Sequence, residues 1–533
     1  MTAITILLLA AAVGFGLSRA LNVPAVPLLI LCGLGARLVA PLEGEFLEDA
    51  LVLGLTVMVF VAGIELSPAR VGRQRRPALI VGFSQMLLLG AAGFAAALFL
   101  DLSLEAAGYL ALALSASSTL VVLRVLKSRG QLFEPFGRML TGVLLLQDFL
   151  VILMIPVLDR LPGGGTEVLL GVAGTLALTG LSWVVLRWFA PFATQTLAFD
   201  DESLLLVVLS ILFGFLGLAW WMDLPLVAGG FLAGVSLSGF PVHALVRGQL
   251  NSLSDFFNAL FFTALGAFLV LPTGAEVLQA LILLAVVVLL TPPLVAFLAE
   301  RAGFSARPAL LSGVLLAQTS EFSLVVGLQG VVTGQVSEGL FTVITLVTVA
   351  SMILTPFLAT DRLIWKLVKL HPARSRARDA EPPSDHILLL GCGQSGLSIL
   401  ELLMLGPDQP VAVDDDPTII ARLEEAGIRA FRGDITDLEV LEAAGARSAR
   451  AIISTVRRVE DNRYILALTD RKTPTFVRTF DSDSARWVEQ MGGQAVVYSD
   501  AGADDFIAWY QEEFAEGEAP EGDHRQEGEA AGA

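Results

Sequence analysis

Up to about residue 360 the chain is a succession of apolar runs, many of them long enough to cross a bilayer. A helix needs about 20 apolar residues to span the hydrocarbon core, so this pattern commits two thirds of the sequence to a membrane. Only 16% of residues are charged and 55% are hydrophobic, against roughly 25% charged in soluble domains. From Asp361 onward charges are dense and apolar runs are short, so a soluble part follows.

Thirteen spans are predicted, at roughly 3–19, 24–40, 48–66, 78–100, 103–126, 136–158, 167–190, 203–221, 223–240, 256–272, 275–299, 308–331 and 337–359. The first starts at Met1 with neither a basic stretch before it nor a clear cleavage site, and reads as a retained span. Connections after odd-numbered spans are basic: "RVGRQRR" (70–76), then Arg124, Lys127, Arg129 and Arg138, and finally "DRLIWKLVKLHPARSRAR" (361–378). Those after even-numbered spans are acidic or neutral, as in "EGEFLED" (43–49) and "PTGAE" (272–276). Basic loops stay cytoplasmic. The predicted N-terminus is therefore outside a prokaryotic inner membrane, and everything after residue 361 is cytoplasmic.

Three places break the apolar pattern. Gln147 and Asp148 sit at the centre of "TGVLLLQDFLVILMIPVL" (141–158), with no Lys or Arg in that stretch to pair the acid. A mid-bilayer Asp costs roughly 2.5–3.5 kcal/mol on insertion scales. Ser115, Ser117, Ser118 and Thr119 cluster in "ALSASSTLVVLRVL" (113–126), and Gln318, Thr319, Ser320 and Glu321 in "LLAQTSEFSLVV" (315–326). Non-helical backbone at membrane depth is tolerated only where it is buried or lines a cavity, and transporters place such breaks in matching halves of an inverted repeat. The pattern predicts an oxygen-lined site near mid-membrane, with Asp148 as its ionisable group and monovalent-cation ligand. Gln147, Ser117, Ser118 and Thr119 would add neutral oxygens, and Gln318 and Glu321 would come from the second break. Glu321 also suits a helix N-terminus, where a carboxylate is favoured by the dipole. Serines and threonines in such spans also bond back to their own helix. Proton and cation competing for one carboxylate is the minimal chemistry of an antiporter, with one proton exchanged for one cation.

These motifs resemble those of the bacterial monovalent cation:proton antiporters of the Kef type, potassium efflux systems gated by glutathione. "FVAGIEL" (60–66), "LSASST", "LLLQDFLVI", "GGFLAGVSLSGFPVHAL" (229–245) and "LLAQTSEFSLVV" carry the likeness. The resemblance implies electroneutral exchange of K+, with Na+ as the other ion to consider, and a homodimer embedded in lipid. Two places depart from the family. Thr319-Ser320 stands where Gly-Gly usually precedes the Glu, and the loop "VRGQLNSLSD" (246–255) lacks the family's acidic run. The second departure speaks against glutathione as a partner.

The soluble part opens with "SDHILLLGCGQSGLSILELLMLGPDQPVAVDDDP" (384–417). A strand runs into Gly391-Cys392-Gly393-Gln394-Ser395-Gly396, a helix follows, and Asp414 ends a second strand 23 residues after Gly391. Glycines for a tight turn, a helix N-terminus for phosphate and an acid for ribose make this a dinucleotide-binding pattern. Further strands at 451–456, 475–480 and 495–500 extend it to a Rossmann-like α/β domain. It resembles the nucleotide-binding half of the regulators of potassium conductance. That likeness implies NAD, NADH or AMP as ligand, with Asp434 of "GD" also lining the pocket. It also matches Arg478 to an arginine near the glutathione site of Kef systems. Cys392 reads as a small filler in the turn.

The expected organisation is a transmembrane exchange domain (1–360), a cytoplasmic linker (361–383), a nucleotide-binding regulatory domain (384–500) and an acidic, disordered tail (501–533). The fold class is a polytopic α-helical membrane protein with broken helices plus a cytoplasmic Rossmann-like domain. The net charge of −18, with ten acids and one arginine in the tail, argues against nucleic-acid binding. No substrate site beside the nucleotide is legible, so no enzyme is expected. A potassium channel would need a T-V-G-Y-G filter, which the sequence lacks. A transport-inactive membrane sensor that binds nucleotide stays as the alternative, with Asp148 and both polar breaks arguing against it.

Overall fold

The computed structural model describes residues 2–21, 23–39, 44–65, 74–189, 201–238, 244–370, 382–406, 409–456, 458–469 and 472–498. It divides into two units, 1–374 and 375–533.

The first unit is helical. Its elements are α1 (Thr2–Leu21), α2 (Ala25–Val39), α3 (Gly44–Glu65), α4 (Arg75–Phe99), α5 (Leu104–Ser115), α6 (Thr119–Ser128), α7 (Pro135–Asp159) and α8 (Gly165–Val184, continued by a π turn Val185–Phe189). They continue as α9 (Asp201–Trp221), α10 (Leu226–Leu237), α11 (Ala244–Phe268), α12 (Gly274–Arg301), α13 (Ala306–Leu315), α14 (Glu321–Val332), α15 (Glu338–Leu358) and α16 (Asp361–Leu370). Each of the thirteen predicted spans falls on a helix or a broken helix. Among the described residues, seven segments are long and apolar enough to cross a membrane by length and composition. Their outward faces are apolar, as with Phe83 and Leu87 on α4 and Leu169, Leu176 and Trp183 on α8.

Local chemistry sets the helix ends. Ser103 accepts from the Ala106 N–H at the start of α5, Pro135 opens α7, and Thr273 and Glu276 form a capping box on α12. Glycines let helices pack backbone to backbone. A Cβ on Gly63 would lie 2.3 Å from the Phe231 carbonyl, and one on Gly234 2.0 Å from that of Phe60. The glycines of "FVAGIEL" and "GGFLAGVSL" therefore press α3 against α10, as small residues do in membrane helix pairs.

Two predictions need adjustment. Residues 246–255, read as a loop, belong to α11. The stretch holds one Gly and no Pro, too little to stop a helix. The first ten residues of the predicted linker form α16, whose Ile364 is buried. The rest of that linker to 381 and the acidic tail lie outside the described residues, as do 66–73 and 239–243.

The second unit is a six-stranded parallel sheet in the order β3-β2-β1-β4-β5-β6. The strands are β1 (Ile387–Leu390), β2 (Pro410–Asp414), β3 (Arg429–Arg432), β4 (Ala451–Ser454), β5 (Thr475–Thr479) and β6 (Gln494–Val497). Helices α17 (Gln394–Met404), α18 (Pro417–Glu425), α19 (Leu438–Ala443), α20 (Arg463–Thr469) and α21 (Ser482–Gln490) complete the unit. Central β1 is buried throughout, with Leu388 and Leu390 facing one core and Leu389 the other. A run apolar on both faces is what a doubly wound parallel sheet requires. The strand order reverses between β1 and β4, and ligands of such folds bind at that switch point.

Candidate functional site

Both polar clusters are helix breaks. Residues 116–118 are extended between α5 and α6, and 316–320 are irregular between α13 and α14. The breaks meet: the Ser117 hydroxyl donates to the Leu316 carbonyl at 2.8 Å, and the Ser323 hydroxyl donates to the Ala113 carbonyl. Helix α7 passes beside them. The Ser117 N–H donates to Gln147 Oε1 at 3.1 Å, and the Thr119 hydroxyl donates to Asp148 Oδ2 at 2.8 Å.

The predicted residues thus come together but divide the work. The Ser117 hydroxyl and Gln147 Oε1 are engaged in holding the breaks in place. Ser115 bonds back to its own helix, donating to the Leu112 carbonyl at 2.8 Å. Ser118 caps α6, accepting from the Val121 N–H, and its hydroxyl lies beside the Glu321 carboxylate. Ser320 caps α14, accepting from the Phe322 N–H. Glu321 is the first residue of α14, and its carboxylate also lies beside the Leu120 N–H in the first turn of α6. One carboxylate therefore faces two half-helix N-termini, both carrying positive dipole ends. Asp148 lies within electrostatic reach of it.

What is left open defines the site. Asp148 Oδ1, Gln318 Oε1 and Glu321 Oε2 are buried without a hydrogen-bond partner. Buried oxygens left unsatisfied cost free energy unless a cation, proton or water meets them. Three oxygens, two of them carboxylate, form a donor set that fits a hard monovalent cation or a proton.

Several supporting residues escaped the sequence reading. Gln85 on α4 is buried and donates to the Ser117 hydroxyl at 3.1 Å. With Ser84 it forms a polar pair in an apolar run, the same signal that marked Gln147. Thr348 and Ser351 on α15 hold Thr319: Thr319 Oγ1 donates to Thr348 Oγ1 at 2.9 Å, and the Thr319 N–H to Ser351 Oγ at 3.2 Å. Their spacing with Thr355 puts all three on one face of the helix. At the end of α7, Asp159 takes the Tyr109 hydroxyl and, at 2.9 Å, the Gln329 amide, tying α7 to α5 and α14. As a terminal acid it looks in sequence like any loop residue.

In the second unit Gly391 has φ +80°, a left-handed conformation that favours glycine. A Cβ on Gly396 would lie 2.2 Å from the Gly391 carbonyl, whereas one on Gly393 would meet nothing within 4 Å. Gly393 is the N-cap of α17, so an open cradle faces a helix N-terminus where phosphate is favoured. Ser395 accepts from Arg478 Nη1 at 2.8 Å, and that guanidinium lies over the Phe480 and Tyr498 rings. Asp414 is turned inward: its oxygens accept from the Cys392 N–H at 2.5 Å and the Asp416 N–H at 2.9 Å. It fixes the glycine turn, and a ribose would have to use its remaining lone pairs. Asp434 accepts from the Thr436 N–H at 2.8 Å, and its neighbour Gly433 donates to the Asp414 carbonyl. Burial, with the Asp414 charge adding, pushes the Cys392 thiol up to about 12. That suits a filler and not a redox-active thiolate.

Broken helices meeting around a buried carboxylate, in a chain that also carries a parallel nucleotide-binding sheet, define a secondary cation/proton transporter with a regulatory domain. The chain belongs to the sodium/hydrogen exchanger family, whose transmembrane domain matches residues 4–360. The TrkA-N domain matches residues 387–499. The glutathione-regulated potassium-efflux system protein KefC of Salmonella schwarzengrund is 28% identical over 452 residues, covering 83% of this chain and 72% of that protein. The protein of the same description from Salmonella typhi is equally similar. The sodium proton antiporter MjNhaP1 of Methanocaldococcus jannaschii shares the fold of the membrane part, with a TM-score of 0.53. It is 16% identical, and the match covers 69% of this chain and 99% of that one.

Proposed function

We propose that the protein exchanges K+ for H+ at Asp148, one ion for one proton, and that nucleotide binding to the cytoplasmic domain regulates the exchange. The observation that carries this reading is the pair of Asp148 oxygens. One is held by Thr119, and the other is buried and unpartnered, with the Glu321 carboxylate within electrostatic reach. A carboxylate so placed accepts a proton or a partly dehydrated cation, and the two exclude one another.

Gln318 contributes a neutral oxygen, and Glu321 neutralises the two half-helix ends. K+ is preferred over Na+ because the similar curated proteins are potassium-efflux systems. In the second domain, Gly391, Gly393, Gln394, Ser395 and Gly396 would take the phosphates of NAD, NADH or AMP. Asp414 and Asp434 would flank the ribose, and Arg478 would stand at the phosphate end. Pairing of two copies, a cytoplasmic second domain and an external N-terminus follow from the family likeness and the loop charges. The reading involves no enzymatic step and leaves glutathione aside, because residues 246–255 carry Arg247 and a single acid.

The test is cation-driven proton movement in proteoliposomes carrying a pH dye, with K+ or Na+ added and with NADH or AMP enclosed on the domain side. K+-driven flux that responds to nucleotide supports the reading. A net transport current in a voltage-clamped membrane would overturn one-for-one exchange.

A further inference from the structure

Three elements of the ion site share a second meeting point, far along the same helices. Helix α6 begins at Thr119 beside Asp148 and ends at Arg129, its C-cap. Helix α13 begins beside Arg307 and ends at Leu316, the acceptor of Ser117. Helix α15 carries Thr348 and Ser351, the partners of Thr319, and ends at Ala359. All three ends converge on Asp361, the first residue of α16. Asp361 Oδ1 lies 3.4 Å from Arg129 Nη1 and 3.6 Å from Arg307 Nη2, and Arg129 also donates to the Ala359 carbonyl.

Isolated surface ion pairs contribute little, but this one is built differently. The two arginine side chains are only 16% and 9% exposed, while Asp361 is 40% exposed. Removing the acid would take a shared carboxylate away from two largely buried guanidiniums, which costs more than losing a surface pair. Helices α6 and α13 are ten residues each, about 15 Å of rigid rod. A shift at Asp361 is therefore delivered to both breaks.

We infer that Asp361 is a positioning residue for exchange: through it, helix α16, where the chain leaves the membrane unit, sets the placement of α6, α13 and α15 at the ion site. This deepens the reading of a regulated exchanger by naming the joint at which regulation enters. It rests on that reading for its meaning, while one arm of its test stands apart from transport.

The test uses the full chain and compares wild type, Asp361→Asn and Asp361→Glu. In proteoliposomes, Asp361→Asn raises the K+ concentration for half-maximal exchange at least fivefold and keeps the maximal rate within twofold. Asp361→Glu restores the wild-type value. In amide hydrogen exchange, peptides covering 116–129 and 306–320 lose protection together in Asp361→Asn and regain it in Asp361→Glu. If Asp361→Asn does not accumulate as folded protein, Asp361→Asn with Arg307→Gln removes one of the two guanidiniums together with the acid and carries the same comparison. Unchanged half-saturation with unchanged protection of both peptides overturns the inference. So does a loss of maximal rate alone that Asp361→Glu fails to restore, the signature of a mere tether. Absence of flux in the wild type would sink the exchanger reading, and the amide exchange would then decide the role of Asp361.

Discussion

The Thr119 hydroxyl donates to Asp148 Oδ2 at 2.8 Å, joining the first residue of α6 to the carboxylate of α7. The bond fixes which Asp148 oxygen is left open, and it makes the position of α6 part of the proposed ion site. Hydrogen bonds to charged groups contribute about 1.5–3 kcal/mol. Thr119→Val should therefore weaken cation binding about 10- to 100-fold. A half-saturation series for K+ in proteoliposomes checks this, and wild-type half-saturation in the variant would remove Thr119 from the site.

Glu321 is expected to behave unlike Asp148. It lies beside the Ser118 hydroxyl and the Leu120 N–H and faces two half-helix N-termini. Such a carboxylate stabilises by about 0.3–1 kcal/mol per helix end, up to about 2 where partly buried. Glu321→Gln should lower the thermal stability of the detergent-solubilised protein and still catalyse exchange. Complete loss of flux in folded protein would make Glu321 an exchanging group in its own right.

For the nucleotide domain, Gly393 offers a clean substitution because a side chain there meets nothing in the protein. Gly393→Val should fill the phosphate cradle. NADH or AMP affinity should fall more than tenfold, about 1.4 kcal/mol, with the melting temperature of the ligand-free protein unchanged. Calorimetric titration of the full chain reads the first quantity and a thermal scan the second. Retained affinity would move the ligand away from the glycine turn.

His386 supplies a pH dependence. It is buried at 3% exposure beside β1, with Nε2 at 3.0 Å from the Ala444 carbonyl. Burial holds its imidazole below the ordinary histidine range. The unfolded chain therefore binds a proton before the folded domain does, and stability rises with pH across that window. The contribution is fully present above the unfolded pKa of about 6.5 and is lost as pH falls below it. Unfolding temperatures of the second unit at pH 7.5 and 5.5 should differ more in wild type than in His386→Gln. Equal differences would show that His386 is not the group responsible.

Much of this was legible in the sequence, and for physical reasons. Asp148 stood out because an unpaired acid in a 25-residue apolar helix has no cheap structural explanation. The two breaks stood out because Ser, Thr and Gln cluster where lipid-exposed backbone is not tolerated. Strand, glycine turn, helix and acid fell at the spacing the sheet requires. Division of labour inside the site was not legible. Ser117, Gln147 and Thr119 all offer neutral oxygens, and only their partners separate the first two, which brace the breaks, from the third, which holds Asp148. Asp414 carried the sequence signature of a ribose ligand, yet its oxygens already brace the turn. Arg129, Arg307 and Asp361 looked like ordinary loop charges, because their meeting depends on distances across 232 residues of chain.

The most direct test of the account is proton flux driven by K+ in proteoliposomes, comparing wild type with Asp148→Asn reconstituted at equal amounts. The account predicts that K+ drives protons across wild-type vesicles and that Asp148→Asn abolishes the flux while keeping the fold. Flux of wild-type magnitude in Asp148→Asn would contradict it and place the exchanging group elsewhere.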